Sequence, residues 1–93
     1  MIEIKISPKF KRSYKLRVKP HQLLRTEFKE ALGILISQQN LDSIYDHKLV
    51  ANMSGKRAFS INKDFRVVYK QTKDYILLLD IGNHSQVYPK FRL

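Results

Sequence analysis

Two histidines set among cations mark where this chain can do chemistry. His47 lies in the polar segment Asp46-His47-Lys48-Leu49, and His84 stands just past a Gly82-Asn83 pair. Between them come Lys56, Arg57, Asp64 and Arg66, with Asp80 close to the second histidine and Tyr88 just after it. That inventory suits metal-free cleavage of an RNA phosphodiester. The ribose 2′-OH can attack its own phosphate, so no outside nucleophile is required. The protein must supply a base for the 2′ proton, an acid for the leaving 5′ oxygen and cations for the developing charge. Imidazole changes charge near neutral pH and serves either proton step. A guanidinium such as that of Arg66 forks onto two phosphate oxygens. Tyr88 can stack on a base or reach a proton.

Each residue also has a purely structural reading. His84 can be a turn residue after Gly-Asn, and His47 can cap a backbone group in its loop. Arg66 can pair with Asp80 on a neighbouring strand, worth about 0.2–1 kcal/mol. A one-residue change in the Gln71–Asp74 loop would alter which residues face each other there. Tyr88 and Phe91 can cover the core, while Lys56 and Arg57 can be solvated. His21, beside Pro20, reads as structural or exposed. Other chemistries find little support. The histidines lack metal-ligand spacing, no phosphate loop or nucleophile elbow is present, and there is no cysteine. The expectation is no cofactor and no metal.

Charge narrows the partner. Eighteen Lys and Arg against eight Asp and Glu leave a formal net charge of +10 on 93 residues. Such an excess repels itself and calls for a polyanion, either nucleic acid or an acidic protein segment. The length makes one domain, residues 1–93, with a small core. The start MIEIKIS has no signal-peptide core, and the apolar run Tyr75–Ile81 is too short to span a bilayer. A cytoplasmic protein without a membrane partner is expected.

The elements that must position these residues follow from periodicity. Ile2, Ile4 and Ile6 alternate with charges as a first strand. Ser7-Pro8 opens a helix whose stripe is Phe10, Tyr14 and Val18, and Pro20 ends it. A second helix over His21–Gln39 carries Leu24, Phe28, Leu32, Leu35 and Ile36. Gly33 inside it suggests a close packing point. Asn40–Ser54 reads as a loop with packed anchors Leu41, Ile44, Tyr45 and Leu49, and with Asn52 among its turn residues. Arg57–Ile61, Phe65–Lys70 and Tyr75–Ile81 read as strands. Gly82-Asn83 then breaks the chain before a short last strand. The result is an α+β fold: a small antiparallel, mostly meander sheet with an N-terminal two-helix hairpin on one face, in the order β-α-α-β-β-β(-β).

Taken together, the D-H-K-L segment, the F-x-I-x-x-D-x-R-V-V-Y strand pair and the L-L-x-I-G-x-H-x-x-V-Y ending resemble the RelE/YafQ-type toxins of type II toxin–antitoxin systems. The resemblance covers essentially the whole chain and is strongest from Asp46 to Tyr88. It implies the same fold and a metal-free endoribonuclease that cuts mRNA, often in the ribosomal A site, leaving a 2′,3′-cyclic phosphate. It also implies a cognate antitoxin that would answer the positive charge. Carried over residue by residue, His47 matches the histidine of the D-H-x-L motif and His84 that of the G-x-H motif. Asp64 matches an aspartate opening the central strand, Arg66 the strand arginine of RelE-like members and Tyr88 the C-terminal aromatic. The implied roles are His84 as general acid, His47 or Asp64 as base, and Arg66 with Lys56 or Arg57 as phosphate clamp. Lys48 and Tyr88 join Lys56 and Arg57 as RNA contacts.

Two positions depart from that pattern. Ser60 stands where YafQ-like members often carry another histidine. Asp80 stands where they often carry an arginine on phosphate, and a carboxylate there repels phosphate unless Arg66 neutralises it. Two other functions compete: a ParE-like toxin, which shares the fold but binds DNA gyrase without cutting RNA, and a basic RNA- or ribosome-binding module with a degenerate site, which these two departures favour.

Overall fold

The computed structural model describes residues 2–50 and 53–88. Strand β1 (Glu3–Ile6) leads into helices α1 (Pro8–Arg17) and α2 (Gln22–Ser37). A 3-10 turn (Leu41–Ile44) and a two-residue strand β2 (His47–Lys48) follow, then β3 (Arg57–Ser60), β4 (Phe65–Gln71), β5 (Tyr75–Asn83) and a short helix α3 (His84–Val87). The strands form one sheet in the order β1-β5-β4-β3-β2.

The α+β fold and the helix hairpin are as the sequence predicts, but the sheet is mixed. β2 to β5 run antiparallel, whereas β1 lies parallel to β5, Ile4 opposite Ile76. A parallel neighbour needs a crossover connection. Here α1 and α2 begin that crossover, so the first and last strands meet.

Local chemistry explains the helix starts. Ser7 caps α1, its hydroxyl accepting from the Phe10 amide at 3.0 Å and donating to the Leu79 carbonyl at 3.1 Å. That second bond ties the helix entry to β5. Phe10, Tyr14 and Phe28 then interlock, with ring centroids 5.3 to 6.1 Å apart, and join the two helices. Phe10, Val18, Phe28, Ala31 and Leu35 close over Phe59, Val67, Tyr69, Ile76, Leu78 and Ile81 on one sheet face. Burying each such side chain contributes about 1.5–3 kcal/mol.

Two expectations fail here. Gly33 is exposed, with no heavy atom beyond its chain neighbours and its own helix backbone within 4 Å of where a Cβ would stand, so it marks no packing point. Gly33→Ala is accordingly expected to stabilise the protein by about 0.5–1 kcal/mol. Thermal unfolding would check this, and a lowered midpoint would contradict it. Nor does Gly82-Asn83 end the strand. β5 continues through both residues, and the chain then turns into α3 instead of the expected short last strand. Asn83 is the reason. Its side chain accepts from the Gln86 amide at 3.0 Å while the Gln86 side chain accepts from the Asn83 amide at 2.8 Å, a reciprocal cap that starts a helix. Asn52 and Phe91 lie outside the described residues.

Candidate active site on the open sheet face

Cross-strand pairing decides which side chains share a face. Arg57 pairs with Tyr69, and Phe59 with Val67, on the helix side. The opposite face carries the rows His47–Ala58–Val68–Asp80 and Ser60–Arg66–Gly82. A bulge sets the second alignment. Val68 faces Asp80 while Tyr69 faces Leu78, leaving Leu79 as the extra residue. Helix α3 folds onto this open face, where Val87 and Tyr88 pack over Ala58, Val68 and Leu79.

Arg66 stands at the centre. Its Nη1 donates to the carbonyls of Asn62 and Lys63 at 3.1 Å and of Phe65 at 3.2 Å. The Asn62 side chain in turn accepts from the amides of Asp64 and Phe65, both at 2.8 Å, so the turn that aims Arg66 is itself held. Among the described residues no carboxylate lies within ion-pair distance of Arg66. Two hollows meet at Arg66 and Lys63. One, of about 420 Å³, is lined also by Asp64, Asn83 and His84. The other, a groove of about 1220 Å³, is lined also by His47 and Ser60 and by Glu27 and Glu30 of α2.

Each histidine is held by its neighbours. His84 is exposed at the first position of α3, and its ring meets that of Tyr88 edge-on, centroids 4.6 Å apart. Burial raises the Tyr88 hydroxyl above its ordinary pKa, partly offset by the Arg66 charge, so the phenol stays protonated at neutral pH. His47 Nδ1 lies 2.7 Å from the Tyr45 carbonyl. A carbonyl can only accept, so Nδ1 carries the proton and the neutral ring leaves its Nε2 lone pair free. Tyr45 reaches this position through a left-handed backbone at φ 52, uncommon for a residue with a Cβ.

The support behind His47 is a cluster that sequence reasoning missed. Asp46, with its side chain 3% exposed, accepts from Arg57 Nη2 at 2.6 Å and from the Tyr69 hydroxyl. Arg57 Nε also donates to the Tyr69 oxygen at 3.1 Å. Arg57 is thus ion-paired on the helix side and not a free cation on the open face, and it neutralises the carboxylate that anchors the His47 loop. Lys48 pairs with Arg57 in register and belongs to the same helix-side row. Lys56 and Tyr88 line a third hollow of about 500 Å³, together with Lys9, Leu79, Asp80 and Gln86. Asp80 does not pair with Arg66. Its carboxylate accepts from the Ile81 amide at 2.9 Å and faces Arg17 and Lys9, each at 3.5 Å.

Tyr69 gives the cluster a pH signature. Burial, then the bond to Asp46, pushes its hydroxyl well above the ordinary value. Above pH about 10 the unfolded chain loses that proton while the folded chain keeps it. The unfolded state then binds fewer protons, so stability falls as pH rises. Tyr69→Phe is expected to flatten this alkaline decline in denaturant-unfolding midpoints between pH about 9 and about 11. An equal decline in the variant would remove Tyr69 from the account.

A family model described as the bacterial toxin of type II toxin–antitoxin systems, YafQ, matches residues 2–89. This chain belongs to the YafQ family. Among solved structures, YafQ from E. coli strain BL21(DE3) superposes with a TM-score of 0.81 at 24% identity, covering 96% of this chain and all (100%) of that one. YafQ in the E. coli DinJ–YafQ complex gives 0.79 at 25% identity over 96% and 100% of the two chains. A metal-bound toxin from Helicobacter pylori gives 0.80 at 27% identity over 95% and 100%. No curated protein sequence matches the chain significantly. In this YafQ-family chain no three His, Cys, Asp or Glu side chains converge as metal ligands among the described residues. Among those residues no helix is long and apolar enough to cross a membrane.

The residues missed by sequence reasoning were not all silent. Asn83-x-x-Gln86 is a capping-box spacing, so α3 was legible. Arg17 and Lys63 carry no local pattern that sets them apart from other surface charges, and Asp46, though part of the D-H-K-L segment, gives no local sign that it is buried under Arg57 and Tyr69.

Proposed function

We propose that this toxin is an endoribonuclease that cuts mRNA by attack of the ribose 2′-OH, acting on translating ribosomes in the cytoplasm and held inactive by a cognate antitoxin. One observation carries the reading. Arg66, without a carboxylate partner among the described residues, sits where a hollow lined by Asp64 and His84 meets a groove lined by His47. Its guanidinium suits the non-bridging phosphate oxygens and the charge that grows on them in the transition state. His47 Nε2, free to accept, takes the 2′ proton, with Asp64 the alternative base. The 2′ oxygen bonds to phosphorus, and the P–O5′ bond breaks. His84 gives its proton to the departing 5′ oxygen. The products are a 2′,3′-cyclic phosphate and a free 5′-OH, and a later proton exchange resets both histidines. Lys56 and Tyr88, beside this centre, contact neighbouring nucleotides. The complex of E. coli YafQ with DinJ supports an antitoxin partner.

Cleavage mapping on programmed ribosomes and on naked RNA tests this. Cuts confined to ribosome-bound mRNA support the whole proposal. Cuts in naked RNA keep the chemistry and remove the ribosome. Growth arrest without any cleavage would overturn the nuclease and point to a binding target such as gyrase.

A further inference from the structure

We infer that Arg17, on helix α1, is a phosphate-binding residue of this site, delivered over Gly82 to a place beside Arg66. The inference deepens the proposed RNA-binding face and rests on it. Gly82 is the cross-strand partner of Arg66, so a side chain at position 82 would stand next to Arg66 on the open face. Gly82 has none. A Cβ there would lie 2.8 Å from Arg17 Nη1 and 2.7 Å from Gln86 Oε1, so the guanidinium occupies the space that the glycine leaves. Arg17 therefore crosses from the last turn of α1 to the row that holds Arg66.

The head group is fixed but not used up. Nη1 donates to the Ile81 carbonyl at 2.9 Å and faces Asp80 Oδ1 at 3.5 Å. Among the described residues Nε and Nη2 make no hydrogen bond, and the side chain is 25% exposed. A guanidinium held through one nitrogen with its remaining donors free is pre-organised for a phosphate oxygen. The charge balance agrees. Asp80 brings one negative charge and meets two cations, Arg17 and Lys9, so its neighbourhood keeps a net positive charge. The carboxylate at position 80 thus orients a cation from another element instead of repelling the substrate. The competing role for Arg17 is structural, covering the β5 edge at Ile81.

Binding of a short 2′-O-methyl RNA oligonucleotide, which resists cleavage, separates the two across a range of salt concentrations. Arg17→Gln keeps an amide donor for the Ile81 carbonyl and loses the charge. Affinity is expected to fall about tenfold. The slope of log affinity against log salt is expected to shrink by about 0.7. Asp80→Asn keeps an acceptor for the Ile81 amide and frees Arg17, so it should bind more tightly than the wild type. Unchanged affinity and slope in a folded Arg17→Gln would overturn the inference, as would weaker binding by Asp80→Asn. Wild-type binding of this probe, with the slope still falling in Arg17→Gln but no cut in the matching unmodified RNA either free or on programmed ribosomes, would sink the nuclease and leave Arg17 in place. No binding by the wild type would sink both.

Discussion

His84→Gln is expected to slow RNA cleavage about a hundred- to ten-thousand-fold, the range for loss of a general acid. The leaving 5′ oxygen departs as a strongly basic alkoxide unless it is protonated in the same step, and glutamine has no proton to give near neutral pH. The substitution should leave the fold alone. His84 is exposed at the first position of α3, and the cap that starts the helix comes from Asn83 and Gln86. Its edge-on contact with Tyr88 is a packing interaction at stake. Single-turnover cleavage with a parallel thermal melt measures both effects. A variant with an unchanged melt and wild-type cleavage would remove His84 from the proton step, leaving Asp64 and His47 to supply it.

Asp46→Ala is expected to cost about 2–4 kcal/mol of stability. The carboxylate is nearly fully buried and takes two donors at once, Arg57 and the Tyr69 hydroxyl. Removing it strands a buried phenol and an arginine. The Arg57 side chain keeps 28% exposure, so water recovers part of the loss and the figure stays below that for a fully enclosed pair. For a domain of this size the melting midpoint should drop by roughly 10 °C or more. Asp46→Asn keeps one acceptor and should lose about half as much. A drop of only a degree or two in the alanine variant would mean that the cluster adds little. Cleavage should fall in both variants even where they are folded, because Asp46 anchors the loop that carries His47.

The elements were legible because their causes are local. Ser7-Pro8 announces a helix by its capping chemistry, and the alternation of Phe65, Val67 and Tyr69 with Arg66 and Val68 announces a strand with two unlike faces. The last element departs from its local signal: Gly82-Asn83 reads as a turn before a strand, yet Asn83 and Gln86 form a cap and start a helix. Arg66 was legible as a strand residue opposite the apolar set. Its partner was not. Carried on unbroken from Tyr69–Leu78, the register would set Arg66 opposite Ile81; one bulge at Leu79 sets it opposite Gly82, and that bulge is a property of two strands together. Arg57 illustrates the same limit. Its place beside Lys56 suggested a phosphate ligand, yet its pairing with Tyr69 sends it to the other face, where Asp46 holds it.

By itself, then, the sequence determined the helix hairpin, four of the five strands described, the strong positive charge and the presence of two histidines and an arginine of the types that RNA cleavage needs. Periodicity, caps and charge act over a few residues and survive without a fold. Only the tertiary structure decided that β1 runs parallel to β5, that Asp46 is locked under His47 and that a cation from α1 reaches over Gly82 to a strand more than sixty positions away. Those choices rest on register and on close approach between distant segments. Their energies arise only once the core of Phe59, Tyr69 and Ile81 has brought the segments together.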